Sequence, residues 1–166
     1  MEHSEDVPAL RDAASDVPDE HAALHAGLTK VLRWASREAV VRRLAGPAAA
    51  GLSPTDLWLL DGIVRHGPLR ISDLAAWQGV DKSTATSQVR RLTDRGLVLR
   101  RADPSDGRAV LVVASDAGLL LHRDVSRQGA HVLAELMGDW DPADRQDFAR
   151  LLSRFADELG PGPGVR

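Results

Sequence analysis

A run of hydrogen-bonding side chains between positions 83 and 91 offers the clearest chemistry in the sequence. It consists of short hydroxyls followed by one amide and two guanidinium groups: Ser83, Thr84, Thr86, Ser87, Gln88, Arg90 and Arg91. Hydroxyl and guanidinium groups donate hydrogen bonds to phosphate oxygens, and hydroxyls also bond to base edges in a DNA groove. No hydroxyl makes the two-point contact that arginine makes with guanine. We therefore expect Gln88 or Arg90, water and DNA shape to contribute to base selection.

The charge of the chain is unevenly distributed, although the formal net charge is only −3. Residues 65–108 carry nine basic and five acidic residues, whereas residues 1–30 carry two basic and seven acidic ones. Local positive charge favours binding to a phosphate backbone, because binding releases counterions. A solvated basic face would produce the same distribution, so charge alone leaves both interpretations open.

Other chemistries find little support in the sequence. Cysteine is absent, which excludes disulfides, thiolate metal ligands and cysteine nucleophiles. His21 and His25 have the i, i+4 spacing of a chelating pair, but they lack an evident acidic or thiol partner. We interpret them as solvated histidines and expect no metal ion. Leu52 stands where a phosphate-binding loop over residues 46–53 would need lysine, and we predict neither an enzyme nor a cofactor.

The elements that must position these side chains follow from helix-start residues and apolar spacing. Residues 1–18 are polar and lack periodicity, which is typical of a loose tail. Residues 19–46 are predicted to form one amphipathic helix. Ser53, Pro54 and Asp56 match the cap, first position and capping box of a second helix, and a short third helix follows it.

The hydrogen-bonding run lies on a fourth predicted helix, residues 82–95, which Asp81 caps. Ala85, Val89 and Leu92 are spaced to form its buried stripe. The remaining polar side chains then lie on its outer face. An ordinary surface helix would show the same pattern. This helix alone therefore does not distinguish a surface helix from one that contacts DNA.

A β-hairpin and two further helices complete the chain. Two β-type runs, residues 97–101 and 108–113, flank a link rich in turn-forming residues. Helices are expected across residues 115–160, followed by a Gly/Pro-rich tail at residues 161–166. The order of elements predicts a mainly α fold with a small β-hairpin, in which residues 52–113 form a winged helix-turn-helix lobe.

The predicted helices at the two ends of the chain carry apolar stripes too large to leave in water. Packing them against the same helices of a second copy is the economical solution, because symmetric dimers are the commonest oligomers. We therefore expect a homodimer with dimerisation helices from both termini. The N-terminal residues lack the apolar segment of a signal peptide, and no apolar run is long enough to span a bilayer. We expect a cytoplasmic protein.

Residues 53–118 resemble the MarR family of transcriptional repressors. The stretch Val80 to Ser87 is similar to the recognition helix of that family. The sequence Asp-Pro-Ser-Asp-Gly-Arg at residues 103–108 is similar to its wing, whose hallmark is Asp-x-Arg. The resemblance implies a triangular homodimer whose two winged lobes read a pseudo-palindromic operator. It also implies release from DNA by a small lipophilic or aromatic acid.

The resemblance assigns roles to single residues. Arg91 is expected to bind phosphate, and Arg100 is assigned to the same DNA surface. Arg108 is expected to enter the minor groove, with Asp106 holding its guanidinium. A surface salt bridge is the alternative interpretation of that Asp–Arg pair. Ser87 stands where relatives often carry arginine.

The sequence leaves open the role of two tryptophans and the choice between two functions. Trp34 and Trp58 are interpreted as core or interface residues, or as the border of an effector pocket between the dimer helices and the winged lobe. A winged-helix adaptor that binds protein without specific DNA contact is the alternative to a DNA-binding regulator.

Overall fold

The computed structural model describes residues 19–159, except for the side chains at positions 107 and 108. The predicted tails, residues 1–18 and 161–166, lie outside the described residues. The described residues divide into two compact units, one that ends at Val40 and one that begins at Val41. The fold is mainly α-helical with one small antiparallel sheet, which confirms the predicted fold class.

The described part of the first unit contains helix α1 (Asp19–Ala35) and the start of helix α2 (Glu38–Ala45). This corrects the prediction of one helix over residues 19–46. The Ser36 hydroxyl donates to the Arg33 carbonyl oxygen at 3.0 Å, and the Arg37 N–H donates to the Trp34 oxygen at 3.2 Å. The Ser36 N–H still bonds four residues back, to the Leu32 oxygen at 3.0 Å, but the Arg37 N–H bonds only three residues back, so the regular helical ladder ends between them.

The second unit contains a lobe of three helices and three strands. Its elements are α3 (Pro54–His66), β1 (Leu69–Arg70), α4 (Ile71–Gln78), α5 (Lys82–Asp94), β2 (Val98–Asp103) and β3 (Asp106–Ala114). The sheet order is β1-β3-β2, and both pairings are antiparallel. The sequence did not predict β1, because two residues are too short to show an alternating pattern. A 3-10 turn (Pro47–Ala49) precedes the lobe.

The start of α3 confirms the predicted capping box. The Ser53 hydroxyl accepts from the Asp56 N–H at 3.2 Å, and the Asp56 carboxylate accepts from the Ser53 N–H at 3.0 Å. Two backbone donors of the first helical turn are thereby satisfied. Asp56 is buried, so this cap forms part of the lobe interior.

The core of the lobe joins its helices to its sheet. Ala85, Val89 and Leu92 of α5 are each 0% exposed, which confirms the buried stripe predicted for this helix. Val89 and Leu92 pack in a cluster with large aliphatic side chains from α3, α4 and the sheet: Leu59, Leu60, Ile63, Leu74, Val98 and Val112. This packing leaves only the opposite side of α5 for solvent.

Two long helices follow the sheet, α6 (Asp116–Leu136) and α7 (Pro142–Glu158). The Ser115 hydroxyl caps α6 by accepting from the Gly118 N–H at 3.0 Å. Helix α7 buries none of its residues, and four of its large apolar side chains are between 43% and 51% exposed: Phe148, Leu151, Leu152 and Phe155. Leu159, which directly follows the helix, is 68% exposed. Among the helices that the structure describes, none is both long and apolar enough to cross a membrane.

Candidate nucleic-acid interface

The first turn of α5 is organised around the carboxylate of Asp81. This carboxylate accepts from the Thr84 N–H at 2.9 Å, from the Thr84 hydroxyl at 2.6 Å and from the Ser83 hydroxyl. Hydrogen bonds from Ser83 and Thr84 hold the pKa of Asp81 well below its usual range. In this arrangement both hydroxyl protons are used inside the protein, so the Ser83 and Thr84 oxygens offer acceptors to an approaching ligand.

The outer face of α5 presents polar side chains at helical spacing. Ser83, Ser87 and Arg90 are exposed and follow one another at i, i+4 and i+7, which places them on one side of the helix. Within the described residues, the Ser87 hydroxyl has no hydrogen-bond partner. The Thr86 hydroxyl donates to the Lys82 oxygen at 2.6 Å, and Arg90 lies 3.8 Å from Asp94. This face has the size and polarity to enter a major groove.

Gln88 does not lie on this outer face. Its side-chain type predicted a contribution to base selection, but the structure buries Gln88 to 7% exposure beside Val89. The spacing contained a signal for this, because position 88 lies three residues after Ala85 and four before Leu92, on the buried stripe. The polar amide of Gln88 led to the prediction of an exposed position despite this spacing.

Arg91 has a partner inside the lobe. Its guanidinium donates to the Asp56 carboxylate at 2.8 Å, and half of the side chain remains exposed. Burial raises the pKa of Asp56, but the hydrogen bonds from Ser53 and Arg91 outweigh burial and leave the pKa below its ordinary value. Arg91 thus ties α5 to the capping box of α3, and its expected phosphate contact stays a prediction.

The wing is the hairpin of β2 and β3, which closes between Asp103 and Asp106. The Asp103 carboxylate accepts from the Ser105 N–H at 2.8 Å and from the Ser105 hydroxyl at 2.6 Å. The other carboxylate oxygen of Asp103 accepts from Arg70 Nε at 3.0 Å and Nη2 at 2.6 Å. Arg70 Nη1 also lies 3.6 Å from the Asp106 carboxylate. We call this group of Arg70, Asp103, Ser105 and Asp106 the wing anchor.

The wing anchor was missed in the sequence analysis. Arg70 lies 33 positions before Asp103, and no local pattern connects the two. Pairing of β1 with β3 brings Arg70 opposite Leu111, and this pairing places its guanidinium at the turn of the wing. The bonds from Ser105 and Arg70 lower the pKa of Asp103 from 3.8 to about 2.

The wing anchor predicts a pH-dependent effect of Asp103→Asn. A carboxyl whose pKa falls on folding stabilises the folded state above its unfolded pKa, and this contribution is lost as pH falls from about 4 to about 2. The variant should therefore be less stable than the wild type at neutral pH, and the difference should shrink towards pH 3. Urea unfolding midpoints at about pH 7, 5 and 3 measure this.

Asp147→Asn is the matched control for this experiment, because Asp147 forms an exposed pair with Arg150 at 3.0 Å on α7. Exposed pairs contribute little to stability, so this variant should follow the wild type at every pH. A difference between Asp103→Asn and wild type that stays the same from pH 7 to pH 3 would contradict the role of the anchor.

The remaining predicted site residues lie on the hairpin, on α3 or in the first unit. Arg100 lies on β2 with its side chain exposed. Arg108 belongs to strand β3, but its side chain lies outside the described residues. Trp58 is 67% exposed on α3, whereas Trp34 belongs to α1 in the first unit. The described residues contain no cluster of three histidine, aspartate or glutamate side chains that could hold a metal ion.

The lobe is similar in sequence to a known protein family. A sequence profile of the MarR family matches residues 52–110. The HTH-type transcriptional regulator YxaD of Bacillus subtilis is 27% identical over 119 residues, which cover 72% of this chain and 83% of that protein.

Solved structures share the fold over most of the chain. RV1404 from Mycobacterium tuberculosis matches with a TM-score of 0.69 and 22% identity, covering 89% of this chain and 97% of that one. Streptococcus pneumoniae FabT, solved in complex with DNA, matches with a TM-score of 0.64 and 18% identity over 84% and 96% of the two chains. At these identities the likeness concerns the fold alone.

Proposed function

We propose that this chain, whose residues 52–110 match the profile of the MarR family, is a winged-helix, DNA-binding transcriptional regulator of that family, and that it is a repressor that binds a pseudo-palindromic operator as a homodimer. Its family and relatives are transcriptional regulators and not enzymes. The observation that carries the proposal is the exposed polar face of α5 beside an anchored wing. DNA recognition by this fold requires a helix that enters a groove and a flanking contact with the DNA backbone. The α5 face and the wing are suited to these two roles.

The α5 face supplies the proposed contact with the major groove. Ser87 and Arg90 project from the side opposite the core, and Ser83 and Thr84 offer hydroxyl oxygens at the first turn. The hydroxyl oxygens at this turn can accept hydrogen bonds from base amino groups, whereas Arg90 can donate hydrogen bonds to guanine or to phosphate. Arg91, Arg100, Asp106 and Arg108 complete the proposed DNA surface.

The exposed apolar helices support the proposed dimer. In the first unit, α1 leaves Leu24, Leu28, Val31 and Leu32 between 45% and 68% exposed. In the second unit, α7 exposes its whole apolar edge. Surfaces of this kind are covered in the working protein, and we propose that a second copy covers each of them. We place the dimer in the cytoplasm.

The proposed repressor is released by a small lipophilic or aromatic effector. Trp58 supports a ligand site, because an indole that is 67% exposed borders a cavity in the second unit. Trp34, in the first unit, is also proposed to contact the effector. Aromatic walls of this kind favour flat apolar ligands.

A gel shift tests the proposal directly. Full-length protein is titrated onto the DNA upstream of its own gene and onto random DNA of equal length, and specific binding should be at least about a thousandfold tighter at moderate salt. Light scattering in the same buffer should report about twice the chain mass of 17.9 kDa. A fully helical monomer without DNA preference would contradict it and would favour a protein-binding adaptor.

A further inference from the structure

The outer half of the wing has no apolar core of its own. Along β2, the buried Val98 is followed by four exposed residues, 99–102, and then by Asp103, which is 7% exposed. Val110 and Leu111, on the paired stretch of β3, are not buried either. A two-stranded hairpin is only marginally stable by itself, so the wing tip needs another source of order.

The buried carboxylate of Asp103 supplies that order. One of its oxygens accepts from the Ser105 N–H and hydroxyl, and the other accepts from Arg70 Nε at 3.0 Å and Nη2 at 2.6 Å. Arg70 lies on β1, which pairs with β3, so its guanidinium connects the turn to the lobe. Charge-assisted hydrogen bonds are strong, and a buried carboxylate that lost them would be costly. The ion pair of Arg70 and Asp103 therefore fixes the position of the wing tip.

We propose that Arg70 and Asp103 are positioning residues for DNA binding, whose ion pair holds the wing turn so that Arg108 reaches the minor groove. The inference deepens the proposed function and rests on it. It has a specific consequence for charge. An aspartate on the wing strengthens DNA binding, although DNA phosphates repel its carboxylate.

Asp103→Asn is the first test, because charge and position predict opposite results for it. The variant removes a negative charge from the proposed DNA surface, which alone would leave DNA affinity unchanged or raise it. Asparagine keeps the shape of the side chain but has only one accepting oxygen for Ser105 and Arg70, so the turn loses its fixed position. Gel shifts with the DNA upstream of its own gene, at pH 7 and moderate salt, should therefore show binding at least about fivefold weaker.

Asp94→Asn is the matched control, since it removes an acid from the same proposed DNA surface without changing the wing anchor. Asp94 is exposed on α5, where it lies 3.8 Å from Arg90. Its removal leaves Arg90 available to DNA, so this variant should bind as tightly as the wild type or more tightly. Weaker binding of both variants by the same factor would overturn the inference.

A double-mutant cycle separates positioning from direct contact. Arg70→Ala should weaken binding to the same DNA about tenfold in the wild-type background. In Arg108→Ala, where the positioned contact is already missing, the same change should weaken binding by less than about twofold and leave the salt slope unchanged. An equal factor in both backgrounds would mean that Arg70 contacts phosphate itself or supports the whole lobe, and either result would overturn the inference.

Arg70→Lys tests whether the forked guanidinium is needed. Lysine keeps the charge, but its single ammonium group cannot bond to Asp103 through two nitrogens while a third faces Asp106. The DNA affinity of this variant should lie closer to that of Arg70→Ala than to that of the wild type, and full rescue would contradict the positioning role. Amide hydrogen exchange without DNA gives an independent reading. In Arg70→Ala the Ser105 N–H should exchange faster, whereas the amides of α5 should not.

The outcomes separate this inference from the proposed function. Specific DNA binding by the wild type, with unchanged affinity in Asp103→Asn and Arg70→Ala, would reject the positioning role and leave the repressor proposal intact. Absence of DNA preference in the wild type would reject both. Circular dichroism at the assay temperature checks the fold. Loss of the helical signal in both variants would also overturn the inference, because the ion pair would then support the lobe and not the wing alone.

Discussion

Replacing Arg108 with alanine is expected to weaken operator binding by about 1–3 kcal/mol for each wing of a dimer. Strand β3 carries Arg108 two residues after Asp106, at the hairpin that the wing anchor fixes to the lobe. In the proposed dimer, one substitution would delete two symmetric contacts. A protein with fewer cations at the interface releases fewer counterions from the DNA when it binds. The plot of log affinity against log salt should therefore become shallower. Stability should hardly change, since a wing tip supports little of the core.

A salt titration on operator and random DNA measures this effect, with two variants as controls. Ser87→Ala should alter the sequence preference and leave the salt slope unchanged, since a hydroxyl carries no charge. Arg150→Ala removes the same charge from α7, where Arg150 is exposed and paired with Asp147, and should leave both quantities unchanged. Wild-type affinity and slope in Arg108→Ala would mean that this wing does not touch DNA.

Replacing Gly118 with alanine is expected to destabilise the protein by about 3 kcal/mol, near the upper end of typical overpacking costs. A Cβ at this position would lie 2.1 Å from the Leu97 carbonyl oxygen and 3.3 Å from Leu60 Cδ1. The oxygen cannot retreat freely, because it accepts the Ser115 N–H at 3.0 Å. The added methyl group therefore forces α6 away from the sheet or breaks that bond.

Gly129→Ala is the matched control, since it makes the same change in the same helix. Its nearest atom would be the Leu44 oxygen at 3.8 Å, an ordinary contact distance. Alanine is the better helix former by up to about 1 kcal/mol, so this variant should gain stability. Urea unfolding of the two variants should therefore shift the midpoint in opposite directions. Equal midpoints for both variants and wild type would contradict the close approach of α6 to Leu97.

Helix starts could be predicted from the sequence because their signals are local. Ser53, Asp81 and Ser115 each bond to a backbone N–H three residues on, so the pattern and its partner stand in one short segment. The buried stripe of α5 followed from spacing for the same reason. The lobe that carries the candidate site was therefore accessible without coordinates.

Contacts between distant segments could not be predicted in this way. The bonds of Arg70 to Asp103 and of Arg91 to Asp56 join positions 33 and 35 residues apart, and each depends on how two elements pack. The break between α1 and α2 falls at Ser36 and Arg37, and residues of both types also occur inside regular helices. In each case a competing arrangement was equally compatible with the local pattern.

The cap of α5 also has a consequence for how operator preference drifts during evolution. Ser83 and Thr84 both bond to the Asp81 carboxylate, so a mutation at either position disturbs the helix start together with any base contact. Among the described residues, Ser87 makes no hydrogen bond through its hydroxyl, and the exposed Arg90 has an ion pair only with Asp94. Lineages that acquire new target genes should therefore change positions 87 and 90 first, while 83 and 84 vary slowly and in step with 81.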